Sequence, residues 1–247
     1  MVNKDNHPIL MGIDGGTGGI RAALYDMEGN CLSFSSAPYE TSFPKPGYAQ
    51  QSVYDWWDSA AIAVKEALKQ ADLLPEQISA IACDTTATSL VACKKDGTPL
   101  RPCIIWMDVR ANKEAEELFN KTGEFYSPEW MPPKLAWLKR NERSIYNEAE
   151  VFCEYQDWLT YKLTGKWCMN INTACNWAYS NRNGFSRKIY EALDIAEALD
   201  KFPTEEVFKP GDLIGYLTKE AAKHLGLIRG IPIAQGGIDS SIGLLGM

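Results

Sequence analysis

Gly12-Ile13-Asp14-Gly15-Gly16-Thr17-Gly18-Gly19-Ile20-Arg21 is the stretch on which the reading of this chain turns. It lies between two short β-type segments, Ile9 to Asp14 and Ile20 to Asp26, and carries four glycines in five positions. Such a hairpin tip lets backbone N–H groups converge on an anion. No G-x-G-x-x-G can be read through it, no Gly-Lys-Ser/Thr ending follows, and what comes next is a strand rather than a crossover helix. The dinucleotide fingerprint and the P-loop are therefore excluded. An aspartate at the base, a hydroxyl at the crest and a cation beyond suit phosphoryl transfer. In that reading Asp14 holds Mg²⁺ through water, Gly16, Thr17 and Gly18 cradle the moving phosphoryl group, and Arg21 offsets charge. A glycine-rich turn without a ligand is the alternative.

Outward from this loop, a third strand over Cys31 to Ala37 completes a meander, and apolar residues at helical spacing predict a helix over Val53 to Gln70 capped by Ser52 or Asp55. Strands are expected at 78–83, 90–93, 104–106 and 231–235, and helices at 110–121, 133–140, 156–164 and 219–225. Strands alternating with helices after a meander indicate an α/β domain, a mixed sheet flanked by helices. Polar residues follow several strands: Asp84-Thr85-Thr86, Asp108 with Arg110 after Trp106, and Asp239 after Gly236-Gly237. Ligands gather at the carboxyl ends of strands in such sheets, so these groups form a polyol-binding set. The alternatives are a solvated pair for Asp108 and Arg110 and a helix N-cap for Asp239.

Composition narrows the partners. The 247 residues are 45% hydrophobic and 23% charged, ample for a core. The net charge of −7 argues against nucleic acid or an anionic membrane surface. Two histidines, His7 and His224, cannot build a multi-histidine metal centre, so acid–base chemistry must rest on carboxylates. The seven cysteines are scattered without a C-x-x-C pair, which fits reduced core thiols. Residues 1–8 lack the apolar core of a signal peptide and no run approaches the roughly 18 apolar residues of a membrane span, so a cytoplasmic location is expected.

Six segments in order resemble the N-terminal domain of the FGGY family of carbohydrate kinases, which has the actin-like ATPase (ribonuclease H-like) fold. They are Gly12-Ile13-Asp14-x-Gly16-Thr17, Pro46 to Trp57, Trp106-Met107-Asp108-Val109-Arg110, Pro133 to Lys139, Asp157 to Gly165, and Gly236-Gly237-Ile238-Asp239. Within the family the likeness is to ribulokinase-like pentulose kinases, through Cys83 to Thr86, Glu129 to Lys134 and Glu154 to Trp158. Gly19 stands where many members carry Ser, and Gln50 replaces a common Glu. The resemblance implies ATP- and Mg²⁺-dependent phosphorylation of a ketopentose such as ribulose. It makes Asp239 the catalytic base, sets Asp84, Thr85, Asp108 and Arg110 on the sugar hydroxyls, and lays Trp106 or Trp130 on the apolar face of the sugar. It also implies that residues 1–247 are the N-terminal half of a two-domain kinase, that the C-terminal nucleotide-binding domain is absent, that the chain alone is inactive, and that its uncovered face could drive homodimers. A non-catalytic sugar- or phosphate-binding remnant and an actin-like assembly protein are the rival readings.

Overall fold

Alternation of apolar and polar residues makes the first three strands. In β1 (Ile9–Gly15) the side chains of Ile9, Met11 and Ile13 are buried, and in β2 (Gly19–Tyr25) those of Ile20, Ala22 and Leu24. β1 pairs antiparallel with β2, which pairs antiparallel with β3 (Cys31–Pro38). The computed structural model describes residues 8–203 and 206–246. The leader reading of the N-terminus and His7 lie outside them.

Helix α1 (Val53–Ala71) is capped as the sequence predicts, the Ser52 hydroxyl accepting from the Asp55 amide at 3.3 Å. Its buried stripe of Trp56, Ala60, Ala63, Val64 and Ala67 covers one face of the sheet, with Trp56 stacked on Tyr155. The opposite face carries exposed Leu10, Tyr25 and Phe34.

The main sheet has six strands in the order Leu213–Tyr216, Pro232–Ala234, Ile78–Thr85, β1, β2, β3. Ile78–Thr85 runs parallel to both β1 and Pro232–Ala234. Three carboxyl ends therefore share one edge, and the loops beyond them are welded together. The Thr86 amide donates to Gly15 O at 2.9 Å and the Thr85 amide to Gly237 O at 3.3 Å.

A second core, around Leu135, Phe152, Trp177 and Tyr190, lies under helices Asn112–Thr122, Met131–Asn141 and Arg187–Ala192. The strand expected at 104–106 shrinks to Cys103–Ile104, which pairs with Gln50–Gln51 outside the main sheet. Asp108 and Arg110 thus do not follow a strand of the main sheet. All seven cysteines are free; five are buried, while Cys31 and Cys175 are exposed. Among the described residues no helix is long and apolar enough to cross a membrane.

Candidate functional site

The glycine hairpin is held by its carbonyls. Gly15 O accepts from Thr86 N, Gly16 O from the Tyr39 hydroxyl, Thr17 O from Gln51 Nε2 at 2.7 Å, Gly18 O from Tyr39 N at 3.4 Å, and Gly19 O from Gly16 N at 3.1 Å. The orientation of the Gln51 amide is fixed in turn, because its Oε1 accepts from Trp56 Nε1 at 2.9 Å. With every carbonyl turned into the protein, the Thr17 and Gly18 N–H groups have no partner among the described residues. Unpartnered backbone N–H groups at a turn are the kind of donor set an anion can use.

Conformational freedom is not why Gly19 is glycine, since its φ lies outside the left-handed region. A Cβ there would sit 2.7 Å from Ala37 O, on the neighbouring strand. The close approach of β3 leaves no room for a side chain, so Gly19 is required by packing.

Register across three strands sets a row of charges beside the hairpin. Asp14 is opposite Arg21 on β2 and opposite Asp84 on the parallel neighbour. Arg21 Nη1 lies 2.6 Å from Asp14 Oδ2, and Asp14 Oδ1 is buried without a partner. Burial first, then the negative charges of Asp14 and Asp239, push Asp84 up to about 7. Asp14, Arg21 and Asp84 line a cleft of about 440 Å³.

On the other side of the hairpin lies a cleft of about 450 Å³, walled by Thr17, Thr86, Thr88, Trp106, Glu129, Trp130, Asn176 and Asp239. Trp106 reaches it from its own loop and donates through Nε1 to Thr17 Oγ1 at 2.9 Å. The Thr17 proton is thereby left to point elsewhere. Asp239 is the first residue of the short helix Asp239–Leu245, half-buried, and Ile238 rather than Asp239 is the N-cap.

Of the residues expected at the site, Thr17, Trp106 and Asp239 meet in this one cleft, and Asp14, Gly16, Gly18 and Arg21 adjoin it through the hairpin. Asp84, Thr85, Asp108 and Arg110 are placed elsewhere than on this wall. Asp84 turns toward Asp14 and lines the first cleft, not the second. Thr85 is fully buried, and its hydroxyl donates to Thr86 O at 3.0 Å, so Thr86 takes the place on the wall. Asp108 and Arg110 form a buried pair at 2.7 Å, their side chains 0% and 1% exposed. Every Asp108 oxygen is engaged, by Arg110 and by the Ala49 amide at 2.6 Å, while the guanidinium lies over the Tyr48 and Trp137 rings. This pair braces the loop that carries Trp106, and its carboxylate oxygens are spent within the protein.

Sequence reasoning missed Thr88 and Asn176. Thr88 has φ +51°, a left-handed conformation that costs a β-branched residue about 1–3 kcal/mol and clusters at functional sites. The signal available was indirect: the charged Lys134 and Glu154 stand in otherwise apolar surroundings, and both side chains prove to be wholly buried.

A mixed sheet with a glycine hairpin between its first two strands and a carboxylate after a later parallel strand is one lobe of the actin-like ATPase (ribonuclease H-like) fold. The ligand-bound xylulose kinase of Lactobacillus acidophilus superposes with a TM-score of 0.84 at 22% identity, over 97% of this chain and 50% of that one. An FGGY carbohydrate kinase domain-containing protein of Homo sapiens is 31% identical over 96% of this chain and 46% of its own length. A probable L-xylulose kinase of Haemophilus influenzae is 30% identical over 93% and 49%. The chain belongs to the FGGY family of carbohydrate kinases, whose N-terminal-domain model matches residues 9–246. It spans about half the length of these relatives.

Proposed function

We propose that this chain is the acceptor-binding half of an ATP-dependent kinase that phosphorylates a terminal hydroxyl of a ketopentose such as ribulose. The nucleotide half would be a C-terminal domain outside these residues. One observation carries the reading: Thr17 of the glycine hairpin and the Asp239 carboxylate wall a single cleft whose other walls include hydroxyls, an amide, the Glu129 carboxylate and tryptophan faces.

In that cleft Asp239 accepts the proton of the attacking hydroxyl, and the Thr17 and Gly18 amides with the Thr17 hydroxyl hold the phosphoryl group in line with it. Thr86, Thr88, Glu129 and Asn176 bind sugar hydroxyls, and Trp106 and Trp130 cover the apolar face. The buried, unpartnered Asp14 Oδ1 fits a hard-cation role, and Asp14 would hold Mg²⁺ through water. Among the described residues no group of three or more acidic, His or Cys side chains is arranged as a metal cage, so most ligands would come from phosphate and water. Bound there, Mg²⁺ would neutralise charge on the transferring phosphates. Closure of the second half over the sugar would exclude water. The non-catalytic alternative rested partly on Gly19, whose identity is accounted for by the contact with Ala37 O.

The test is titration of the purified chain with ribulose, xylulose and glycerol, followed by a coupled ADP-release assay. Ketopentose should bind weakly at best, and no turnover is expected. Robust turnover by these residues alone would overturn the half-site reading; a preference for glycerol would overturn the ketopentose reading. In the protein carrying both halves, Asp239→Asn should lower kcat by about 10²–10⁴-fold with little change in sugar affinity. Retained turnover would remove Asp239 from the base role.

A further inference from the structure

Thr88 is gripped from both ends by buried ionisable side chains. Its N–H donates to Glu154 Oε2 at 2.6 Å, and its carbonyl accepts from Lys134 Nζ at 2.6 Å. Lys134 spends its remaining donors on Ile104 O at 3.3 Å and Ile105 O at 2.9 Å, the residues just before Trp106. The other oxygen of Glu154 accepts from Trp177 Nε1 at 3.0 Å and from the Asn176 side-chain amide at 3.3 Å. Each charge is thus fully satisfied, and each links Thr88 to a different wall of the sugar-side cleft.

We infer that Lys134 and Glu154 are positioning residues of this cleft: together they hold the Thr88 peptide in its left-handed conformation and set the placement of Trp106 and Asn176 about it. A core that needed only stability would be served by apolar residues of similar size, because burying charge costs more than a well-packed hydrophobic contact. Here both charges converge on one strained peptide that lines the site. Burial holds Lys134 down to about 8 and Glu154 up to about 7, so each is kept in a costly environment by these contacts. Neither residue is on the cleft wall, and both act through the backbone they hold.

The inference rests on the sugar-cleft reading above, and its test separates the two. Glu154→Gln, Lys134→Met and Glu154→Gln with Thr88→Gly are compared with the unaltered chain by indole N–H resonances, hydrogen exchange at residue 88, ribulose titration and thermal unfolding. Glu154→Gln presents an amide NH₂ group to donors that now lack an acceptor, and Lys134→Met frees three carbonyls. Both single variants should unfold cooperatively, yet exchange faster by about tenfold or more at Thr88. The Trp106 indole should shift although neither residue touches it, and ribulose affinity should fall by about tenfold. Thr88→Gly in the Glu154→Gln background should return the Trp106 indole toward its unaltered position, because glycine adopts the left-handed conformation unaided, while ribulose affinity stays low because the Thr88 hydroxyl is gone. An unshifted Trp106 resonance with unaltered exchange in folded Glu154→Gln would overturn the inference. Should Lys134→Met not fold, Glu154→Gln and its rescue decide the matter. If the unaltered chain binds no ketopentose, the proposed substrate falls, while the resonance and exchange measurements still decide the positioning role.

Discussion

Two Asp–Arg pairs of nearly equal length lie within this molecule: Asp14–Arg21 at 2.6 Å and Asp108–Arg110 at 2.7 Å. The first is open, its side chains 36% and 43% exposed, and one carboxylate oxygen is left without a partner. The second is sealed under Tyr48 and Trp137 with every carboxylate oxygen engaged. Distance alone therefore says little about role. What separates the two is whether the carboxylate lone pairs are already spent within the protein.

The sealed pair gives the largest expected effect. Asp108→Ala leaves a buried guanidinium and the Ala49 N–H uncompensated, and should cost about 3–5 kcal/mol in urea unfolding. Asp108→Ala with Arg110→Ala should recover part of that loss, since the stranded charge is gone. A loss under about 1 kcal/mol for Asp108→Ala, the range of an exposed pair, would erase the contrast.

A smaller effect belongs to Asp84, beside the open pair. Its carboxyl titrates near 3.8 when unfolded and is pushed up to about 7 in the fold. Between those values the folded chain holds more protons than the unfolded one, so stability should fall as pH rises from about 4 to about 7. Glu154, also pushed up to about 7, adds a slope of the same sign. Asp84→Asn should accordingly flatten the dependence without abolishing it. An unchanged slope would mean that the carboxylate row does not interact as described.

Least is expected of Arg21→Ala. Because both partners are substantially exposed, solvent screens the pair, and the stability change should be under about 1 kcal/mol by the same unfolding measurement. A loss comparable to that of Asp108→Ala would show that the hairpin is braced by this ion pair rather than by its carbonyl contacts.

The contrast also explains which parts of the fold and site could be read from the chain. The meander, α1 and the helix Lys219–Leu225 follow from periodicity and caps, and all three form. The short pieces at 143–153 and 169–216 did not stand out, because elements of two to six residues carry too little period to register. Gly16, Thr17 and Asp239 were legible as positions that follow strands, and the fold sets them there. Asp108-Val109-Arg110 read the same way, yet its fate depended on Tyr48 and Trp137, which close over it from elsewhere in the chain. Thr85 and Thr86 differ only in which way the backbone turns at the weld to Gly15 and Gly237. The grip on Thr88 joins residues 46 and 66 positions away in sequence, beyond the reach of any local pattern.

The distribution of thiols has a practical consequence. Cys175 adjoins Asn176 on the cleft wall, whereas Cys31 begins a strand at the sheet edge. An alkylating dye would mark these two positions on the native chain, giving a fluorophore beside the cleft and an internal control. Cys83 and Cys168, pushed up to about 12 by burial, would stay silent with the other enclosed thiols until the chain opens. Counting reacted sulfurs would then follow global unfolding, with no engineered label required.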